Sequence, residues 1–165
     1  MKLFILLTQD KIAWVDEEDY DRVNQYNWAA DQHPNTWYAS SNLGCGRNAP
    51  RIRLHRFVLK VTDPKIQVDH KDWDGLNCTK VNMRIATNKQ NGANHWRHKS
   101  ATGYRGVYFF RKGYIVRIRD EYGRKLHLGI TTDPVEAAYW YDNAARRIQG
   151  EFAVLNFPEK DNEMA

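Results

Sequence analysis

A capped amphipathic segment at residues 133–150 restricts this chain more than any other stretch. Asp133 offers an acceptor to the first unpaired helical N–H groups, Pro134 has the fixed φ that suits the first helical position, and Glu136 stands where a capping box needs an acid. Gly150 supplies the left-handed residue that ends such a helix. Between these signals Ala137, Ala138, Tyr141, Ala144, Ala145 and Ile148 share one face at helical spacing, so a stripe of the helix must be buried. Its partner lies immediately upstream. Residues 104–111, 114–120 and 125–130 read as three strands, with turn signals at Lys112-Gly113 and Tyr122-Gly123. Val116 and Ile118 alternate with Arg117 and Arg119, and Leu126 and Leu128 alternate with Lys125 and His127. The expectation is a three-stranded antiparallel sheet with one apolar face under the helix and one basic face.

The first half is less regular. Residues 3–15 read as short strands around a turn at Gln9-Asp10-Lys11, and Asp16 with Asp19 can cap a helix running to about residue 28. Residues 36–40 read as a strand, residues 41–50 as a Gly- and Asn-rich connection, and residues 51–60 as an alternating basic and apolar run whose charged side faces phosphate. Between residues 88 and 102 the sequence turns polar, and a domain boundary is expected there. The expected organisation is residues 1–94 with a chemical motif at 51–94, a linker at 95–102, the sheet-and-helix domain at 103–158 and a tail at 159–165.

Charge is unevenly placed. Residues 51–94 carry 9 Lys or Arg against 4 Asp or Glu and residues 95–127 carry 9 against 2, whereas residues 1–50 carry 4 against 7 and residues 128–165 carry 3 against 7. A basic block between acidic flanks is the footprint of a polyanion site, so nucleic acid is the expected partner. No apolar run approaches the roughly 20 residues of a membrane helix. The run at residues 3–7 is too short for a secretory leader and reads as a buried strand. Cys45 and Cys78 lack the spacing of a zinc site or disulfide framework, and the expected setting is intracellular and cytoplasmic.

The chemistry is concentrated in Val68-Asp69-His70-Lys71-Asp72-Trp73-Asp74-Gly75, then Asn82-Met83-Arg84-Ile85-Ala86-Thr87, then Gln90-Asn91-Gly92-Ala93-Asn94. Phosphodiester hydrolysis needs a base to activate water, a divalent cation for the developing charge, and donors that orient the rest. His70 titrates near neutral pH and can be the base. Asp69 offers a hard oxygen to Mg²⁺, and in an extended strand it points away from its neighbour His70. Asn91 follows in an expected helix after Thr87 as a neutral oxygen ligand, with Asn94 as its rival; Asp72 and Asp74 shape a turn before Gly75, with metal binding through water as their alternative role.

This set, Asp69-His70, then Asn82, then Asn91, resembles the phage and intron-encoded branch of the HNH nucleases over residues 51–94. The resemblance implies a ββα fold around one Mg²⁺ or Mn²⁺ ion, with Asp69 and Asn91 as ligands, His70 as general base and Asn82 bracing the loop that orients it. It also implies that His55 or Arg56, in Leu54-His55-Arg56, stands near the scissile phosphate. Downstream, Tyr104-Arg105-Gly106-Val107, Leu128-Gly129, Tyr141-Asp142-Asn143-Ala144-Ala145 and Leu155-Asn156-Phe157-Pro158 resemble the Apetala/ethylene-response-factor DNA-binding domain. Tyr108, Arg117 and His127 depart from it, standing where that family has a base-reading Arg, an acid and a Trp. The expected fold class is therefore α+β, a ββα-metal core followed by a three-stranded sheet packed on one helix. The expected function is metal-dependent endonucleolytic cleavage of double-stranded DNA of the homing type, the duplex being held by Arg53, Arg56, Arg105, Arg111, Arg117, Arg119, Lys125 and His127. The alternatives are a DNA-binding regulator without cleavage and a structure-selective nuclease of recombination or packaging. Either a monomer or a homodimer fits.

Overall fold

A computed structural model of the chain describes residues 1–44, 49–94 and 100–158; Cys45, His95, Trp96 and His98, most of the expected linker and the expected tail lie outside them. The chain forms two compact units, Met1–Thr87 and a second beginning at Asn88.

In the first unit β1 (Lys2–Leu6) and β2 (Ile12–Asp16) form an antiparallel hairpin whose turn holds Gln9 and Asp10 at φ 60° and 52°. Helix α1 (Glu17–Val23) follows, and then the antiparallel sheet of β3 (Ala29–Gln32), β4 (Trp37–Asn42) and β5 (Arg51–Arg53), with β4 central. A short helix α2 (Leu54–Val58) and a second hairpin, β6 (Gln67–His70) with β7 (Met83–Ala86), complete the unit. Ile5, Val15, Val23, Trp28, Leu54, Val58, Cys78 and Met83 form one buried cluster. The loop between β6 and β7 is tied to β2: Trp14 N–H donates to the Leu76 carbonyl at 2.8 Å, and Cys78 N–H donates to the Trp14 carbonyl at 2.8 Å.

The second unit holds α3 (Asn88–Ala93), strands β8 (Val107–Phe110), β9 (Gly113–Arg119) and β10 (Lys125–Thr131) with β9 central, and α4 (Pro134–Gln149) across the sheet. Val107, Val116 and Ile118 meet Ala137, Ala138, Tyr141 and Ala145 in its core. Gly106 sits at φ 74° so close beneath Tyr141 that a Cβ would lie 1.9 Å from the ring, which explains a glycine there twice over. Asp142 on α4 is fully buried and accepts from Asn156 N–H at 2.8 Å, Asn156 Nδ2 at 3.0 Å and Phe157 N–H at 2.9 Å, strapping the C-terminal segment to the helix.

Several local expectations give way. Helix α1 stops at Val23 rather than near residue 28, because the Val23 carbonyl accepts from the Trp28 indole at 2.9 Å and Trp28 turns into the core. Asp16 has the backbone of an N-cap, but its side chain accepts from Lys80 N–H at 2.7 Å instead of capping. The alternating run at residues 51–60 divides between β5 and α2, on which Leu54 and Val58, four apart, are both buried. At α4 the Asp133 carboxylate caps Val135 N–H at 2.8 Å, but Glu136 closes no reciprocal box. It takes the Thr131 hydroxyl, whose oxygen in turn accepts from Asp133 N–H at 3.2 Å.

Candidate functional site

The β6–β7 register pairs Asp69 with Arg84 and His70 with Met83. Cross-strand neighbours share a face of the ladder, so Asp69 is presented to Arg84 and His70 to the opposite side. Arg84 Nε and Nη2 both approach Asp69 Oδ2 at 2.8 Å, and the pair is buried, with side-chain exposures of 10% for Arg84 and 4% for Asp69. A carboxylate this buried needs a cation beside it, and Arg84 provides one.

The loop after His70 is wired by Asn82. Its Nδ2 donates to Asp72 Oδ1 at 2.9 Å and to the Asn77 carbonyl at 2.8 Å, while its Oδ1 accepts from Asp72 N–H at 3.2 Å. Asp72 also accepts from Asn77 Nδ2 at 2.6 Å and from Asp74 N–H at 3.0 Å, and Asp74 accepts from Leu76 N–H at 2.9 Å. Both acids thus shape the turn. Gly75 is forced by close approach: a Cβ would stand 2.4 Å from the Trp37 carbonyl oxygen and 2.6 Å from the Tyr38 ring.

Two elements converge on His70. The His55 ring, on α2, meets the His70 ring edge-on with centroids 5.2 Å apart, and Tyr38, on β4, lies 5.4 Å from His55 and 6.0 Å from His70. His33 packs edge-on against the far part of this cluster, 5.1 Å from Tyr38. Burial lowers the His55 pKa from its ordinary 6.5 to about 3, helped by His70, Arg53 and Arg56, so His55 is neutral at working pH. Burial also lowers the His70 pKa, against the opposing pull of Asp72, Asp69 and Asp74. A neutral imidazole beside a carboxylate, on a loop fixed by an amide, can accept a proton near pH 7.

The donor chemistry beside His70 fits a hard divalent ion, since Asp69 supplies a buried carboxylate of which Arg84 engages Oδ2. Another acidic group, Asp16, Glu18 and Asp19, has oxygens within 4.8 Å of one another, but cations already fill it. Lys80 Nζ lies 2.5 Å from Glu18 and 2.8 Å from Asp19, and Arg22 lies 2.5 Å from Asp19. Against the cost of burial, those two cations hold the Asp19 pKa below its ordinary range. Asn91 is half-buried on α3 of the second unit, and Asn94, immediately after that helix, is buried.

The basic residues divide by what they touch. Arg56 donates to the Ile66 carbonyl at 2.7 Å and the Asp63 carbonyl at 2.6 Å, clamping the segment before β6, and Arg53 lies over the Tyr38 ring at 4.8 Å. Arg105 is turned inward, donating to the Tyr141 hydroxyl at 3.0 Å and the Ala93 carbonyl at 2.7 Å. Arg111 is exposed and lies over the Phe110 ring at 5.3 Å. Arg117 with His127, and Arg119 with Lys125, form two exposed cross-strand rows on the face of the sheet away from α4. Sequence reasoning overlooked Arg84 and Tyr38. Arg84 had a signal, because closing a hairpin between residues 70 and 83 sets it opposite Asp69; Tyr38 had none, since nothing local ties β4 to β6.

The chain is 29% identical over 166 residues to an uncharacterized HNH endonuclease of Acanthamoeba polyphaga mimivirus, a match that covers 93% of this chain and 80% of that protein. No family model matches the chain.

Proposed function

We propose that this protein is a metal-dependent HNH endonuclease of the homing type that hydrolyses phosphodiester bonds in double-stranded DNA. The observation that carries the reading is the β6 pair: a buried carboxylate, Asp69, next to a neutral buried imidazole, His70, at the start of a loop held by Asn82. The similarity to a viral protein named as an HNH endonuclease supports it at family level.

His70 takes the proton from the attacking water, and its neutrality near pH 7 keeps its lone pair available. Asn82 holds the loop and so fixes where the base points. His55 is a positioning residue in this scheme, because its 5% exposure and its packing against the His70 ring favour a bracing role over contact with phosphate. One Mg²⁺ or Mn²⁺ ion held by Asp69 would neutralise charge developing on the scissile phosphate, the resemblance alone naming Asn91 as its second ligand. Arg117, Arg119, Lys125 and His127, with Arg111 at their margin, hold the duplex through phosphate and groove contacts. Arg105 and Arg56 brace the protein instead.

The direct test is incubation of supercoiled plasmid and a mixed duplex pool with Mg²⁺, with EDTA, and with an Asp69→Asn variant. Metal-dependent nicking or linearisation that the variant loses is the expected result, and mapping the ends gives the site. Tight binding without cutting under any metal would leave a DNA-binding regulator.

A further inference from the structure

The outer face of the second unit's sheet is not uniformly basic. Beside the rows Arg117–His127 and Arg119–Lys125 runs a third row in which each strand contributes one apolar side chain: Tyr108 of β8 pairs with Ile115 of β9, and Ile115 pairs with Ile130 of β10. Ile115 is only 6% exposed yet stands outside the core beneath α4, while Tyr108 is 46% and Ile130 50% exposed. A bulge makes the row. Pairing shifts by one residue between His127 and Gly129, so Gly129 comes opposite the inward-facing Val116 and Ile130 opposite the outward-facing Ile115. Gly129 is the residue that permits this, because a Cβ there would lie 2.7 Å from the Trp140 ring of α4. Strict alternation from Leu126 and Leu128 would have turned Ile130 inward.

An apolar strip with two rows of basic residues along one side fits a partner that presents a regular anionic backbone next to apolar groups in a groove. Duplex DNA presents both, because the 5-methyl group of thymine projects into the major groove between phosphate rails. We propose that Tyr108 and Ile130, flanking the buried Ile115, form a specificity strip that reads pyrimidine 5-methyl groups, biasing the protein towards sites with thymine at the positions it covers. This rests on the reading that the basic sheet face meets the duplex.

The test uses the full chain in EDTA, with affinities measured by fluorescence anisotropy on alternating poly(dA-dT) and its deoxyuridine counterpart, and on alternating poly(dG-dC) with and without 5-methylcytosine. Both comparisons change only the methyl group at the same groove position. The wild type should bind the methylated partner more tightly in each pair, by about fourfold for each methyl buried. Ile130→Ser and Tyr108→Ser, at exposed positions, should abolish that ratio while leaving affinity for the unmethylated duplexes and its salt dependence unchanged. Equal affinity of the wild type for both members of each pair, or a ratio that survives Ile130→Ser, overturns the strip. So does a dimer of the wild type that Ile130→Ser dissociates without altering the ratio, which would assign the strip to self-association. If the wild type binds none of the duplexes, the sheet-face reading fails and the strip fails with it.

Discussion

The two units handle polar groups in opposite ways. The first buries Asp69, His70, His55 and Asn82 around a short hairpin, where burial holds two imidazoles neutral and a carboxylate depends on Arg84. The second buries a lone carboxylate among its described core residues, Asp142, satisfied by three hydrogen bonds, and keeps Arg117, Arg119, Lys125 and His127 in solvent. Low dielectric makes a small number of polar atoms chemically sharp, as a reacting site requires. Solvent keeps charges mobile and cheap, as counterion-releasing contacts to a polyanion require. Under the proposed function, cutting falls to the first unit and holding to the second, and each requirement has its counterpart in where that unit places its polar atoms.

That contrast is open to direct attack. The largest effect should come from His70→Ala, which is expected to cut cleavage by roughly 10²–10⁴-fold while DNA affinity, read by anisotropy in EDTA, stays unchanged; a parallel loss of affinity would merge the two roles. Acid should separate the units next. His55 accepts a proton near 6.5 when unfolded and only near 3 when folded, and His70 is shifted in the same direction, so the unfolded chain binds more protons between those limits. The stability these histidines contribute is full above about pH 6.5 and is lost as pH falls towards 3. Hydrogen exchange resolved by peptide should therefore show the first unit opening before the second on acidification. Asp142→Ala should destabilise the second unit by roughly 2–4 kcal/mol, since it removes the acceptor of two half-buried backbone donors and of the Asn156 amide, and exchange should rise around Asn156 and Phe157 with the first unit unaffected. Asn82→Ala should cost about 1–3 kcal/mol in the first unit and slow cleavage roughly 10- to 100-fold through loss of the loop's geometry, measured in single turnover. Smallest is Arg117→Ala, which should weaken binding similarly across sequences and reduce the salt slope of the affinity by about 1.

Much of the second unit was legible because its signals are local. The Asp133 cap, the Ala- and Tyr-lined face of α4 and the alternation in β9 each involve residues within one turn or one pleat. The first unit was harder. Strand β3 carries Asp31 and Gln32, and its place in the sheet follows from pairing with β4 rather than from its composition. Arg105 and Arg56 were expected at the DNA from charge and from resemblance, and in the fold each donates to a carbonyl or hydroxyl that only folding brought near. The Asp69-His70 pair could be picked out by residue type and order, whereas the surroundings that set the basicity of His70 could not.

The sequence by itself determined the periodic elements, the opposed directions of Asp69 and His70 on one strand, and the basic alternation of the sheet, since each follows from backbone geometry over a few residues. Tertiary structure alone decided that Arg84 would compensate Asp69, that Tyr38 and His55 would enclose His70, and that Ile130 would face outward. These depend on register and on contacts between distant segments, and a single bulged residue is enough to move a side chain from one face of a sheet to the other.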